Sequence, residues 1–201
     1  KRREKNVTGQ INLGSAAGDK IKETCELDEI STIVEIGTWN GQGSTRCVLA
    51  GVKNRGNIKF CTLECARDQY ELAVSLNPNN PKVEFILGKI VNEDELDVEN
   101  LSIKETTWLK NDIIAMKDVP NVLEQIPSKI DFLLLDGGEF STSAELKKLI
   151  DRCNYIFLDD TVSRKNRQNR IRLINSINFE LLEDRPTDRH GWSLFKRAQT
   201  T

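Results

Sequence analysis

The stretch Ile33 to Thr45, reading IVEIGTWNGQGST, constrains this chain more than any other. Thr32 to Ile36 is a β-branched, apolar run, which predicts a parallel strand buried on both faces. The run breaks at Gly37, and Gly41 and Gly43 follow before a helix predicted over Ser44 to Lys53. Glycine suits such a loop because the backbone turns sharply and a ligand can approach with no Cβ in its way. The spacing G-x-x-x-G-x-G, with the acid Glu35 just before it, differs from the G-x-G-x-x-G of a dinucleotide fingerprint.

At 201 residues the chain is long enough to bury a substantial core and reads as one domain over 1–201. The charged opening residues make 1–14 a flexible or lid-like leading segment. With 29 Lys and Arg against 31 Asp and Glu, the net charge of −2 argues against bulk affinity for nucleic acid, which rests on phosphate neutralisation. No run approaches the ~18 apolar residues of a membrane span, and no signal-peptide core opens the chain. The five cysteines (Cys25, Cys47, Cys61, Cys65, Cys153) form no CxxC pair and sit mostly in apolar segments. They read as buried free thiols in a reducing compartment, the cytoplasm, or a host's cytoplasm for a viral source. With one histidine and no cysteine cluster, any metal must be held by carboxylates, which favours Mg²⁺ or Mn²⁺.

Ser15 is placed to cap a helix running to Leu27, with Ala17, Ile21, Thr24 and Cys25 on one face. Further strands are predicted over Ile58–Glu64, Lys82–Leu87 (ending at Gly88), Ile130–Leu135 and Asn154–Leu158. Helices are predicted over Arg67–Leu76, Glu105–Met116, Asn121–Ile126, Ser141–Ile150 and Arg164–Ile177. Phe179–Leu182 and Gly191–Phe195 lie too close for a crossover helix, so they make an antiparallel hairpin. Five parallel strands alternating with helices, then a hairpin, define an α/β, doubly wound, Rossmann-like sheet. Its ligands are expected beyond the carboxyl ends of the strands.

The glycine loop after an acid, with the closing hairpin, resembles the class I S-adenosylmethionine (SAM) methyltransferases over roughly 30–196. That resemblance implies cofactor contacts along Glu35, Gly37, Thr38, Trp39, Gly41, Gly43, Ser44 and Thr45, and at Gly88. Glu64 ends its strand where nucleotide folds place a carboxylate for both ribose hydroxyls. It would also favour the N-terminal dipole of the next helix. Trp108 reads as packing, or as a cover for the adenine.

Asp136 closes one strand, and Asp159 and Asp160 close the next. Adjacent strands lie about 4.8 Å apart, so the acids converge at the rim. Unpaired they would repel one another, and a divalent cation would remove the conflict. The pattern resembles the metal sites of catechol O-methyltransferase and of the O-methyltransferases acting on macrolide and aminocoumarin sugars. By that likeness Asp136, Asp159 and Asp160 hold Mg²⁺ or Mn²⁺. The catechol enzymes carry a lysine where Glu139 stands, and the sugar enzymes carry Asp-Gly-Asp, whose second acid is Gly138 here. Glu139 is therefore the favoured proton acceptor, with His190 in the hairpin turn as its rival. The acceptor implied is a small-molecule or glycan hydroxyl, foremost that of a rhamnose-like deoxysugar. Arg164, Lys165, Arg167, Arg170 and Arg172 read as a solvated helix face. An NAD-type oxidoreductase would also use Glu64 but has no need of three rim acids. A non-catalytic SAM- or nucleotide-binding module would need only the loop.

Overall fold

The computed structural model describes residues 11–199. Residues 1–10 of the expected leading segment lie outside that range. Of the remainder, Ile11 is buried in the core, and Asn12 accepts the Ser15 backbone N–H at 3.0 Å. The described residues form seven strands: β1 (Thr32–Ile36), β2 (Lys59–Glu64), β3 (Glu84–Leu87), β4 (Ile130–Leu135), β5 (Cys153–Asp159), β6 (Phe179–Arg185) and β7 (Trp192–Arg197). They form one sheet in the order β3-β2-β1-β4-β5-β7-β6. β3 through β5 run parallel, and β7 is antiparallel to both its neighbours. The α/β architecture is therefore the expected doubly wound sheet with a C-terminal antiparallel pair.

Apolar side chains alternate between two packed layers, as period-2 strands buried on both sides require. Val34, Ile36, Leu133, Leu135, Ile156 and Leu158 face one cluster, which receives Leu146 and Leu149 of α5 (Thr142–Leu149) and Leu173 of α6 (Arg164–Ile174). Ile33, Phe60, Phe132, Leu134 and Phe157 face the other, which is filled by α1 (Ala16–Glu26) and α2 (Ser44–Gly51). There the Phe157 and Trp192 rings stack with centroids 5.5 Å apart, which holds β7 onto β5. The Ser15 hydroxyl accepts the Gly18 N–H at 3.1 Å, the N-cap that its position predicted for α1.

Several boundaries differ from the sequence expectation for identifiable reasons. β3 begins at Glu84 because the backbone before it is taken up in a turn, with the Lys82 N–H donating to Asn80 Oδ1 at 3.1 Å and the Val83 N–H to the Asn80 carbonyl. Asn121–Ile126 makes only a 3-10 turn at Leu123–Gln125, since Asn121 bridges Lys89 as a strand would. β6 continues to Arg185 past a register shift between Leu181 and Glu183, which breaks the alternation that would have shown its length. The helices α3 (Arg67–Leu76) and α4 (Ile103–Lys117) complete the fold. Among the described residues no helix is long and apolar enough to cross a membrane.

The carboxyl ends of β1 and β4 touch at Gly37. Its φ is +96°, and a Cβ there would fall 2.2 Å from the Asp136 carbonyl oxygen. Gly37→Ala should destabilise the protein by about 1–3 kcal/mol, through combined backbone strain and overpacking. Urea unfolding measures this, and an unchanged midpoint would mean that the two strand ends separate freely.

Candidate active site

The loop after β1 is tied down from beneath by Glu35, which is fully buried on the α2 side of the sheet. Its carboxylate accepts the Ser44, Thr45 and Thr62 hydroxyls, each at 2.6 Å. Thr62 stands beside it because the register pairs Glu35 with Thr62 across β1 and β2. Thr38 extends the chain of hydroxyls, 2.5 Å from Thr62. Burial pushes the Glu35 carboxyl up to about 7 against the pull of those three donors. Glu35, Thr38, Ser44 and Thr45 therefore make a buried network that sets the loop's path.

Glu64 ends β2 with both oxygens engaged, one accepting the Trp39 N–H at 2.7 Å and the other the Ala66 N–H at 2.8 Å. Burial raises its pKa, and those backbone N–H groups oppose the rise. The Cys65 N–H also favours the charged form, and the carboxylate's remaining acceptor capacity is open to a ligand hydroxyl. Trp39 adopts φ 51° and projects its ring into solvent at 57% exposure.

Trp39 and Glu64 line a cavity of about 590 Å³, a size suited to a small-molecule ligand. Gly37, Trp39, Glu64 and Gly88 line it, together with Ile90, Val91, Ala115 and Met116. Of the other sequence-predicted cofactor residues, Glu35, Thr38, Gly41, Gly43, Ser44 and Thr45 stand behind the wall and do not line it. Trp108 lines a neighbouring depression and not this cavity, with the Lys104 ammonium 4.6 Å from its ring.

Asp136, Asp159 and Asp160 line the same cavity and converge as their strand ends predicted, with donor oxygens all within 4.8 Å of one another. Two side chains that the sequence reading did not assign to the site meet them. The Lys165 ammonium, 9% exposed, bonds Asp136 and lies 3.2 Å from Asp160. Arg189 donates to Asp159 at 2.6 Å. Burial alone would lower the Lys165 pKa, but the three carboxylates outweigh it and hold the amine above the ordinary lysine range. Burial and then the charge of Asp136 push the Asp159 carboxyl up, while Lys165 and Arg189 restrain it.

The expected solvated basic face of α6 is thus corrected. Lys165, Asn166, Asn169 and Leu173 are its buried side, and the repeat of about four residues was the available signal. Arg164 pairs with Asp97 and Glu105, and Arg170 with Asp184. Asn166 ties the acid-bearing strand ends together, donating to the Leu135 carbonyl at 3.0 Å and the Asp159 carbonyl at 2.7 Å. Arg189 escaped notice because only the hairpin's closure, on the Asp159–Trp192 register, returns it to β5.

The acid cluster fits a hard divalent cation. Its donors are oxygens only, and Asp160 Oδ1 is buried without a hydrogen-bond partner. Glu139 is half-buried and does not line this cavity; it lines a smaller depression of about 290 Å³ with Trp108, Asn111 and Asp112, the last of which borders both spaces. Burial and then the Glu139 charge push the Asp112 carboxyl up to about 6. His190 is exposed and lines neither space; its backbone carbonyl accepts the Val162 N–H at 3.0 Å.

No model of a protein family and no curated protein sequence matches the chain. Solved structures do. An O-methyltransferase from Bacillus cereus in complex with SAH aligns at TM-score 0.59 and 14% identity, over 90% of this chain and 80% of its own. The O-methyltransferase TomG from Streptomyces achromogenes, involved in tomaymycin synthesis and solved with SAM, gives 0.61 and 13%, over 90% and 79%. The N-terminal domain of EvdMO1, solved in the presence of SAH and D-fucose, gives 0.53 and 14%, over 91% and 83%. The chain therefore has the Rossmann-like fold seen in class I SAM-dependent O-methyltransferases.

The buried Glu35 makes a pH-dependent contribution with a definite sign. Between about 4.5 and 7 the unfolded chain has shed a proton that the fold retains, so rising pH favours unfolding, and the loss is complete above 7. Glu35→Gln removes this dependence, up to about 1.4 kcal/mol per pH unit. Urea unfolding of both forms from pH 5 to 8 should show the wild-type advantage shrinking to pH 7 and then levelling. A constant difference would place the Glu35 pKa at its ordinary value.

Proposed function

We propose that this chain is an enzyme that transfers the methyl group of SAM to a hydroxyl, foremost that of a deoxyhexose such as rhamnose in a glycan, with help from a divalent ion. One observation carries the reading: a single cavity runs from the glycine loop and Glu64 to Asp136, Asp159 and Asp160. The first end suits the nucleoside of SAM, whose ribose hydroxyls would meet the remaining lone pairs of Glu64. The second suits an oxygen acceptor. SAM is a cation at sulfur, and a wall of carboxylates favours its approach. The methyl moves in line from sulfur to oxygen, leaving a neutral thioether, so the gain comes largely from alignment.

The acceptor hydroxyl must also lose its proton. Mg²⁺ or Mn²⁺ held by Asp136, Asp159 and Asp160 would lower the pKa of a hydroxyl beside it. Glu139, in the depression that shares Asp112 with the cavity, is the proposed proton acceptor, with the exposed His190 as its rival. Neighbouring hydroxyls on a hexose match a cluster of oxygen ligands, and a similar structure was solved in the presence of a deoxyhexose, D-fucose. The absence of the catechol-type lysine at Glu139 points the same way.

Calorimetric titration should show SAM and SAH binding, and Glu64→Ala should weaken both by about 1.5–3 kcal/mol, the cost of lost charge-assisted hydrogen bonds. Tighter binding of NAD than of SAM would overturn the cofactor assignment. Transfer of labelled methyl to a panel of free and glycan-linked sugars tests the acceptor. EDTA should abolish transfer, with Mg²⁺ or Mn²⁺ restoring it.

The proton acceptor is tested separately. Glu139→Gln should lower kcat by about 10²–10⁴ with SAM affinity unchanged, and His190→Gln should do far less. A rate that rises through pH 6 to 7 and loses that rise in His190→Gln would transfer the role to the histidine.

A further inference from the structure

We propose that Lys165 is a resident counter-cation of the acid cluster, which a divalent ion must displace, so that this lysine sets the site's metal affinity. The inference rests on the divalent-ion reading above. Three carboxylates gathered at the rim would repel one another. The chain answers them with two cations of its own. Arg189 takes Asp159, and the Lys165 ammonium lies between Asp136 and Asp160. Lys165 uses Oδ1 of Asp136 and Oδ2 of Asp160, carboxylates that an ion bound by all three acids would need. An ammonium and a dication sharing those groups would repel strongly at this spacing. Occupancy by one therefore excludes the other.

The backbone around Lys165 is fixed, while its side chain is held beyond the backbone only through the ammonium. Its carbonyl accepts the Thr142 hydroxyl, and its N–H donates to the Ser163 hydroxyl at 3.2 Å. α6 can therefore stay in place while the four-carbon stem swings the ammonium off the carboxylates. Asp160 Oδ1, buried without a partner, is the oxygen the lysine leaves unused. The protein thus has two ways to neutralise the same acids, one built in and one taken from solution.

Mn²⁺ titration of the full chain, followed by calorimetry and by the electron-spin signal of free Mn²⁺, tests this in the absence of SAM and acceptor. Lys165→Met should bind Mn²⁺ about 10- to 100-fold more tightly than wild type, the factor expected when a competing charge-assisted hydrogen bond is removed. Lys165→Arg keeps the charge and should not gain affinity. In EDTA the Lys165→Met protein should melt earlier than wild type, and Mn²⁺ should recover most of the loss. If Lys165→Met does not fold, the unsubstituted chain provides the test. Labelling of Lys165 by an amine-reactive reagent, read by peptide mass spectrometry, should speed up several-fold on adding Mn²⁺. Equal Mn²⁺ affinity in wild type and Lys165→Met, or labelling that Mn²⁺ leaves unchanged or slows, overturns the role of Lys165 and leaves the metal site standing. Failure of both forms to bind Mn²⁺ overturns the metal reading and this inference with it.

Discussion

The contact between Gly37 and the Asp136 backbone joins the two halves of the site. With no side chain on Gly37, the carboxyl ends of β1 and β4 come together, and the loop above them turns at positive φ. The Glu64 side and the acid side then share one rim instead of lying in separate crevices. Other features adjust to that closeness. Glu35 binds the loop from below through hydroxyls on β2 and α2, and Asn166 holds β4 and β5 together from the α6 side. The cavity is thus a consequence of how closely three strand ends are gathered.

Most of the architecture was legible because parallel strands buried on both faces leave long apolar runs, as at IDFLLL, and because the glycine spacing marks one particular turn. The three strand-end acids were legible for the same reason, since alternating strands and helices fix which ends face the rim. Lys165 was not, because charge and position in α6 suggest a solvent-facing side chain, and only tertiary packing reveals where it goes. Glu35 was read as a cofactor contact because it precedes the loop. Period 2 along β1 places it with Ile33 on the α2 side, so its partners are hydroxyls of the scaffold. Arg189 depends on hairpin closure, a contact between segments far apart in sequence.

Electrostatics unify these cases. The rim gathers Glu64, Asp112, Asp136, Glu145, Asp159 and Asp160 around one cavity, and burial raises several of them toward neutrality. A surface of this kind is costly to fold and suits a positively charged visitor. Lys165 and Arg189 offset part of the cost without emptying the cavity of negative charge.

The sheet order has a further consequence during synthesis. β7 is the last of the seven strands to leave the ribosome, yet it lies between β5 and β6 instead of at an edge. Until it inserts, β6 has no partner in the sheet and β5 shows an open edge beside Asp159. Arg189, just ahead of β7, cannot reach Asp159 before that insertion. A nascent chain that has made the glycine loop, Glu64 and all three acids therefore still lacks a finished acid site. Closure of the acid site thus depends on β7 taking its place between β5 and β6.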